Sequence, residues 1–111
     1  MVWPIKDRAT FDALRRTGRR SRRGPVTVTF AAVGEHPVPR VAYAVGKRVG
    51  GAVVRNRLRR RLRSVAAGAG ATLRPGAYLV SAGREATDLP YEDLKAHVTA
   101  AMTSASQDRR Q

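Results

Sequence analysis

The sequence predicts a single small α+β domain, a two-layer sandwich of a short sheet and helices. Three features predict it. Two stretches alternate with period two, a third is a short continuous apolar run, and three others repeat at helical spacing. At 111 residues the chain is one domain's worth of sequence, read as residues 1–111 with a core over about 5–103 and a flexible tail at 104–111. Aromatic residues are only 5%, so Val, Leu and Ala must supply the core.

Asp7 is placed to cap a first helix from about Arg8 to Arg16, stopped by Gly18. Phe11 and Leu14 give that helix one narrow apolar stripe. Arg19-Arg20-Ser21-Arg22-Arg23-Gly24-Pro25 reads as a cationic loop or a short edge strand. From Val26 to Val33 the chain alternates, with Val26, Val28 and Phe30 on one face and Thr27 and Thr29 on the other. A Gly- and Pro-containing turn follows, then a second strand from Arg40 to Val45. There Val41, Tyr43 and Val45 oppose Ala42 and Ala44. Gly46 to Gly51 interrupts before a helix from about Ala52 to Ala67, whose Val54, Leu58, Leu62 and Val65 fall within about 80° of one another at helical spacing. Asn56, Arg59, Arg60 and Arg63 lie opposite, with Arg57 and Arg61 along one flank. The run Ala77 to Ala82 predicts an interior strand. Tyr91, Leu94, Val98, Ala101 and Met102 mark the buried stripe of a last helix that starts just after Pro90.

Charge carries the functional signal. The chain has 22 Lys and Arg against 8 Asp and Glu, a formal net charge of +14. Residues 1–63 hold 17 basic and 3 acidic side chains, while residues 64–111 hold 5 of each. The excess is confined to one half, as a binding footprint would be. Nineteen of the cations are arginine, whose planar fork pairs with phosphate and stacks on bases. Six of the nine residues from Arg55 to Arg63 are arginine, and no acidic residue lies between Glu35 and Glu85. Such a helix repels itself, and dense negative charge on a partner reverses that cost. Nucleic acid is the expected partner.

Other chemistries are weakly supported. With no cysteine there is no disulfide, thiolate zinc site or thiol nucleophile. His36 and His97 are isolated and read as ordinary surface or rim residues. Glu85, Asp88, Glu92 and Asp93 are close in sequence, as converging metal ligands would be, but read better as favourable charge near a helix start. Trp3 reads as an N-terminal packing residue. No apolar run approaches the roughly 18 residues that span a bilayer, and Met1 to Asp7 lacks a signal-peptide core. The expectation is a soluble cytoplasmic protein with no membrane partner and no small-molecule substrate.

The segment Gly46-Lys47-Arg48-Val49-Gly50-Gly51-Ala52-Val53-Val54-Arg55-Asn56-Arg57-Leu58-Arg59-Arg60-Arg61-Leu62-Arg63 resembles the signature of the bacterial ribonuclease P protein family, whose hallmark is an Arg-Asn-Arg motif, here Arg55 to Arg57. A weaker likeness runs over about residues 5–102. The resemblance implies an αβββαβα order with a left-handed β-α-β crossover, against the usual right-handed rule, in a sandwich like the second domain of ribosomal protein S5. It implies a non-catalytic protein subunit of ribonuclease P, an endoribonuclease whose catalytic RNA and Mg²⁺ perform the cleavage. The implied partners are that catalytic RNA and precursor tRNA, whose 5′ leader is gripped between the first helix and the sheet. Residue by residue, Arg55, Asn56, Arg57, Arg59, Arg60, Arg61 and Arg63 become RNA contacts, joined by Lys47 and Arg48 in the loop. The leader cleft draws on Phe11, Arg15, Ala42 and Ala44. The first long strand adds either Thr29 or Phe30, with periodicity placing Phe30 in the core. Arg15 stands where the family has a second aromatic. The competing reading is a ribosomal-type or regulatory RNA binder without a part in cleavage.

Overall fold

The computed structural model describes residues 2–34 and 37–107. Its elements run β1 (Trp3–Pro4), α1 (Arg8–Thr17), β2 (Arg19–Arg23), β3 (Val26–Ala31), β4 (Arg40–Ala44), α2 (Ala52–Ala69), β5 (Ala77–Ala82) and α3 (Tyr91–Ser106), with short 3₁₀ turns at 47–49, 70–72 and 84–88. The five strands form one mixed sheet in the order β1-β4-β5-β3-β2. β4 and β5 are parallel neighbours joined through α2, whereas β5, β3 and β2 pair antiparallel.

The apolar run Ala77 to Ala82 takes the central position because both of its faces are covered or half covered. On one face Val26, Val28 and Phe30 of β3, Val41 of β4, and Tyr78 and Val80 of β5 meet Leu58, Leu62 and Val65 of α2 and Leu94, Val98 and Met102 of α3. On the other, Leu14 of α1 packs with Ile5, Ala31 and Ala77. Phe30 therefore belongs to the main core, 3% exposed and 4.9 Å, ring centre to ring centre, from Tyr78. The expectation that Phe30 could serve the leader cleft is corrected: alternation places Phe30 with Val28 and turns Thr29 to the opposite face.

Local signals explain most boundaries. The Asp7 carboxylate accepts from the Thr10 amide at 2.9 Å and the Thr10 hydroxyl at 2.6 Å, capping α1. Gly18 ends that helix in an extended conformation. A Cβ there would press on the Leu14 carbonyl and the Thr29 methyl, so glycine lets α1 approach β3. The cationic stretch after it is an edge strand.

Besides shifts of one or two residues at the ends of α1, β3, β4 and α2, two differences from expectation bear on the fold. Trp3 and Pro4 pair in parallel with Arg40 and Val41, adding a strand too short to show periodicity. The proposed tail at 104–111 begins too early, since α3 continues to Ser106 with Ala105 and Ser106 buried. The Ser106 carbonyl accepts from Arg74 Nη1 at 2.7 Å, which fixes that last turn. His36 and residues 108–111 lie outside the described residues.

Candidate nucleic-acid interface

β4 delivers the chain into Gly46, and the 47–49 turn buries only Val49, leaving Lys47 and Arg48 exposed. Gly50 then adopts φ of 155°, a conformation that favours glycine, before Gly51 opens α2. On α2, Leu58, Leu62, Val65 and Ala66 are buried. Val54 is not part of that buried stripe as the periodicity suggested. It is 40% exposed, and Val53 is 83% exposed, at a first helical turn that borders an open notch beside the 84–88 turn.

The six arginines divide into two sets. Arg55 Nε donates to the Gly50 carbonyl at 3.1 Å. Arg59 donates to Asn56 Oδ1 at 3.0 Å and to the Val45 carbonyl at 3.3 Å. Arg61 donates to the Leu89 carbonyl at 2.6 Å, and the Arg63 guanidinium carbon sits 5.7 Å from the Tyr43 ring centre, within cation–π range. Arg57 and Arg60 are exposed and make no hydrogen bond or ion pair with the described residues. Carbonyls and an aromatic ring orient a cation without cancelling its charge. Among the described residues no carboxylate lies within ion-pair distance of any α2 arginine. Asn56 is thus placed to steer Arg59.

Arg63 also bears on Tyr43, whose buried hydroxyl has no hydrogen-bond partner among the described residues. Burial pushes the Tyr43 phenol above its ordinary value, with the Arg63 charge opposing.

The second candidate surface is the sheet face that α1 only partly covers. Strand register places Thr27 and Thr29 of β3, Leu79 and Ser81 of β5, and Ala42 and Ala44 of β4 on this side. Phe11 and Ala42 are half-buried against the Leu14 cluster, and Ala44 is exposed. Arg15, one turn after Phe11, is exposed and paired with Asp12. Of the predicted cleft residues, Phe11, Arg15, Thr29, Ala42 and Ala44 fall on this side, and Phe30 alone does not. Arg20 and Arg22 of β2 stand opposite Thr29 and Thr27, so they add two cations to the same face. The sequence alone does not reveal them, because a cationic loop or short edge strand has no facing side until its register is known. This face thus carries small side chains on β4 and β3 and arginines on the β2 edge.

Arg40 looks like another cation for this face but is 7% exposed. It donates to Asp7 at 3.2 Å and to the Thr10 hydroxyl at 3.3 Å, tying β4 to the cap of α1. Hydrogen bonds from Thr10 hold the Asp7 carboxyl below its ordinary 3.8, with Arg40 adding to the effect. Among the described residues no group of three or more His, Cys, Asp or Glu side chains converges as a metal site would. Glu92 and Asp93 occupy the first turn of α3, where the helix dipole favours them. His97 packs against Gly24 in the β2–β3 turn. No helix among the described residues is long and apolar enough to cross a membrane.

Against known proteins, residues 3–106 match the family model for ribonuclease P. The ribonuclease P protein component of Thermobifida fusca is 34% identical over 115 residues, covering 96% of this chain and 78% of that one. That of Symbiobacterium thermophilum is 32% identical over 98 residues, covering 87% and 85%. Among solved structures, the ribonuclease P protein of Staphylococcus aureus superposes with a TM-score of 0.83 at 21% identity, over 94% of this chain and 95% of that one. The Thermotoga maritima protein gives 0.82 at 16% identity, over 94% and 98%. At these identities the structural likeness establishes the fold.

Proposed function

Because the chain belongs to the ribonuclease P protein family, we propose that it is the RNA-binding subunit of a ribonuclease P, holding the catalytic RNA and the 5′ leader of precursor tRNA. One observation carries this reading: six arginines on α2 with no carboxylate partner among the described residues, two of them unengaged. A solvated surface gains nothing from that arrangement, whereas a polyanion gains from every cation in it. The pinned arginines present their donors in fixed directions, which favours bidentate capture of phosphate. The sheet face beside α1 is the candidate for the single-stranded leader, with Phe11 and Arg15 offering flat groups to bases and Arg20 and Arg22 tracking phosphates.

The described residues do not assemble a donor set for Mg²⁺. In this proposal the metal is held by RNA and substrate, and the phosphodiester is cut there. The protein's part is to bind and orient, in the cytoplasm, without a small-molecule substrate. The test is reconstitution with a bacterial ribonuclease P RNA at near-physiological salt. The expected result is stimulated cleavage at the mature 5′ end of precursor tRNA, and none from protein freed of RNA. Binding without stimulation would favour a ribosomal-type role, and cleavage by protein alone would overturn the assignment of chemistry to RNA.

A further inference from the structure

The first turns of α2 carry a feature that phosphate binding leaves unused. Val53 is 83% exposed and Val54 40% exposed, side by side at the start of the most cationic helix in the chain. With Arg57, Leu58, Arg61 and Thr87 they line a notch of about 100 Å³ between α2 and the 84–88 turn. Val53, Arg57 and Arg61 succeed one another at four-residue spacing, so they form one column along the helix. Val54 and Leu58 form the neighbouring column. Arg61 is held at the rim by the Leu89 carbonyl, and Arg57 is unengaged by the described residues. Valine methyls offer nothing to a phosphate, yet two guanidinium groups border them.

We propose that this notch receives one unpaired nucleobase, extruded from a bulge or loop of the bound RNA, with Arg57 and Arg61 on its flanking phosphates. The inference rests on the reading that α2 faces RNA. An apolar wall with cationic edges matches a nucleotide, which has an apolar face and an anionic link on either side. An apolar protein segment would gain the wall but not the cations. Every base has such a face, so the site selects for an unstacked base and tolerates its identity.

The experiment compares three RNA hairpins by fluorescence anisotropy: one with a one-nucleotide bulge, one fully paired, and one with an abasic residue at the bulge. The protein is expected to prefer the bulged stem by at least about threefold, roughly the worth of one buried methylene-sized apolar contact, and to treat the abasic stem as paired. Val53→Ser with Val54→Ser should abolish that preference, leaving affinity for the paired stem and its salt dependence unchanged. If the double variant fails to fold, Val53→Ser alone, at a side chain free of the core, should reduce the preference by at least about twofold. Equal binding of bulged and abasic stems, or a preference that survives the substitutions, would overturn the notch. A failure to bind any of the three would instead strike the RNA-facing reading beneath it.

Discussion

Arg57 and Arg60 offer a direct measure of what α2 contributes. Both side chains are exposed and unengaged by the described residues, so replacing them with alanine removes charge and leaves the helix packed through Leu58 and Leu62. Each arginine–phosphate pairing removed should flatten the slope of log affinity against log salt by about 0.7 for single-stranded RNA, or up to about 0.9 by analogy with duplex DNA. For the Arg57→Ala, Arg60→Ala double variant the slope should fall by roughly 1.4 to 1.8. Between about 50 and 200 mM salt, a fourfold range, that change corresponds to roughly a sevenfold to twelvefold narrowing of the affinity gap between wild type and variant. Titration of labelled ribonuclease P RNA at four or five salt concentrations reads it directly, and thermal melting checks that the fold is intact. An unchanged slope in the double variant would remove this side of α2 from the interface.

Gly18→Ala should destabilise the protein by about 1–3 kcal/mol, because its Cβ meets the Leu14 carbonyl and Thr29; a melting temperature equal to wild type would contradict the close approach of α1 to β3. Asp7 has a folded pKa below its ordinary value, so its contribution is present above the unfolded carboxylate pKa and lost as pH falls through the folded one. The stability gap between wild type and Asp7→Ala should therefore hold steady above about pH 5 and close in acid, and a gap unchanged in acid would refute the ionised cap. Tyr43→Phe removes a buried hydroxyl that has no partner among the described residues and should leave stability within about 1 kcal/mol of wild type or raise it. Since burial raises the Tyr43 pKa above 10.0, wild type should lose stability as pH climbs through that range, and the variant should lose less.

The sequence disclosed the core more completely than the surface, and the reason is physical. Ala77 to Ala82 is a short, mostly apolar run of the kind an interior strand accommodates, and its bounds are those observed. Alternation also placed Phe30 inside, although family likeness alone left Thr29 and Phe30 open. Periodicity is blind to an element of two residues, so the Trp3–Pro4 strand was invisible until β4 was present beside it. The last turn of α3 was hidden similarly, because Ser104 to Ser106 reads as polar until Arg74 and the sheet close around it. At the interface, residue type identified the arginines, and the ribonuclease P resemblance is borne out by the comparisons. Their division into pinned and free sets depends on carbonyls at Val45 and Leu89, 14 and 28 residues away in sequence. No local pattern reports such partners. The facing side of Arg20 and Arg22 required the β2 register, and only burial shows that Arg40 ties β4 to the cap of α1.

The same cations set two salt dependences of opposite sign, which tests the whole scheme in one molecule. In the free protein, six arginines on α2 and the exposed Lys47 and Arg48 beside them repel one another without acidic relief from the described residues. Raising ionic strength from about 0.01 M to about 0.1 M shortens the screening length from roughly 30 Å to roughly 10 Å, so repulsion across this face should weaken and the melting temperature rise. RNA binding must move the other way, since salt competes for the same phosphates. An alternative in which these arginines are satisfied within the fold predicts the reverse for stability, because screening would weaken attractive pairs. A melting temperature that falls as salt rises over this range would mean that the chain neutralises its own charge, leaving little for RNA to collect. A rise, with Arg57→Ala, Arg60→Ala showing a smaller one, would locate the repulsion on the helix side that we assign to RNA.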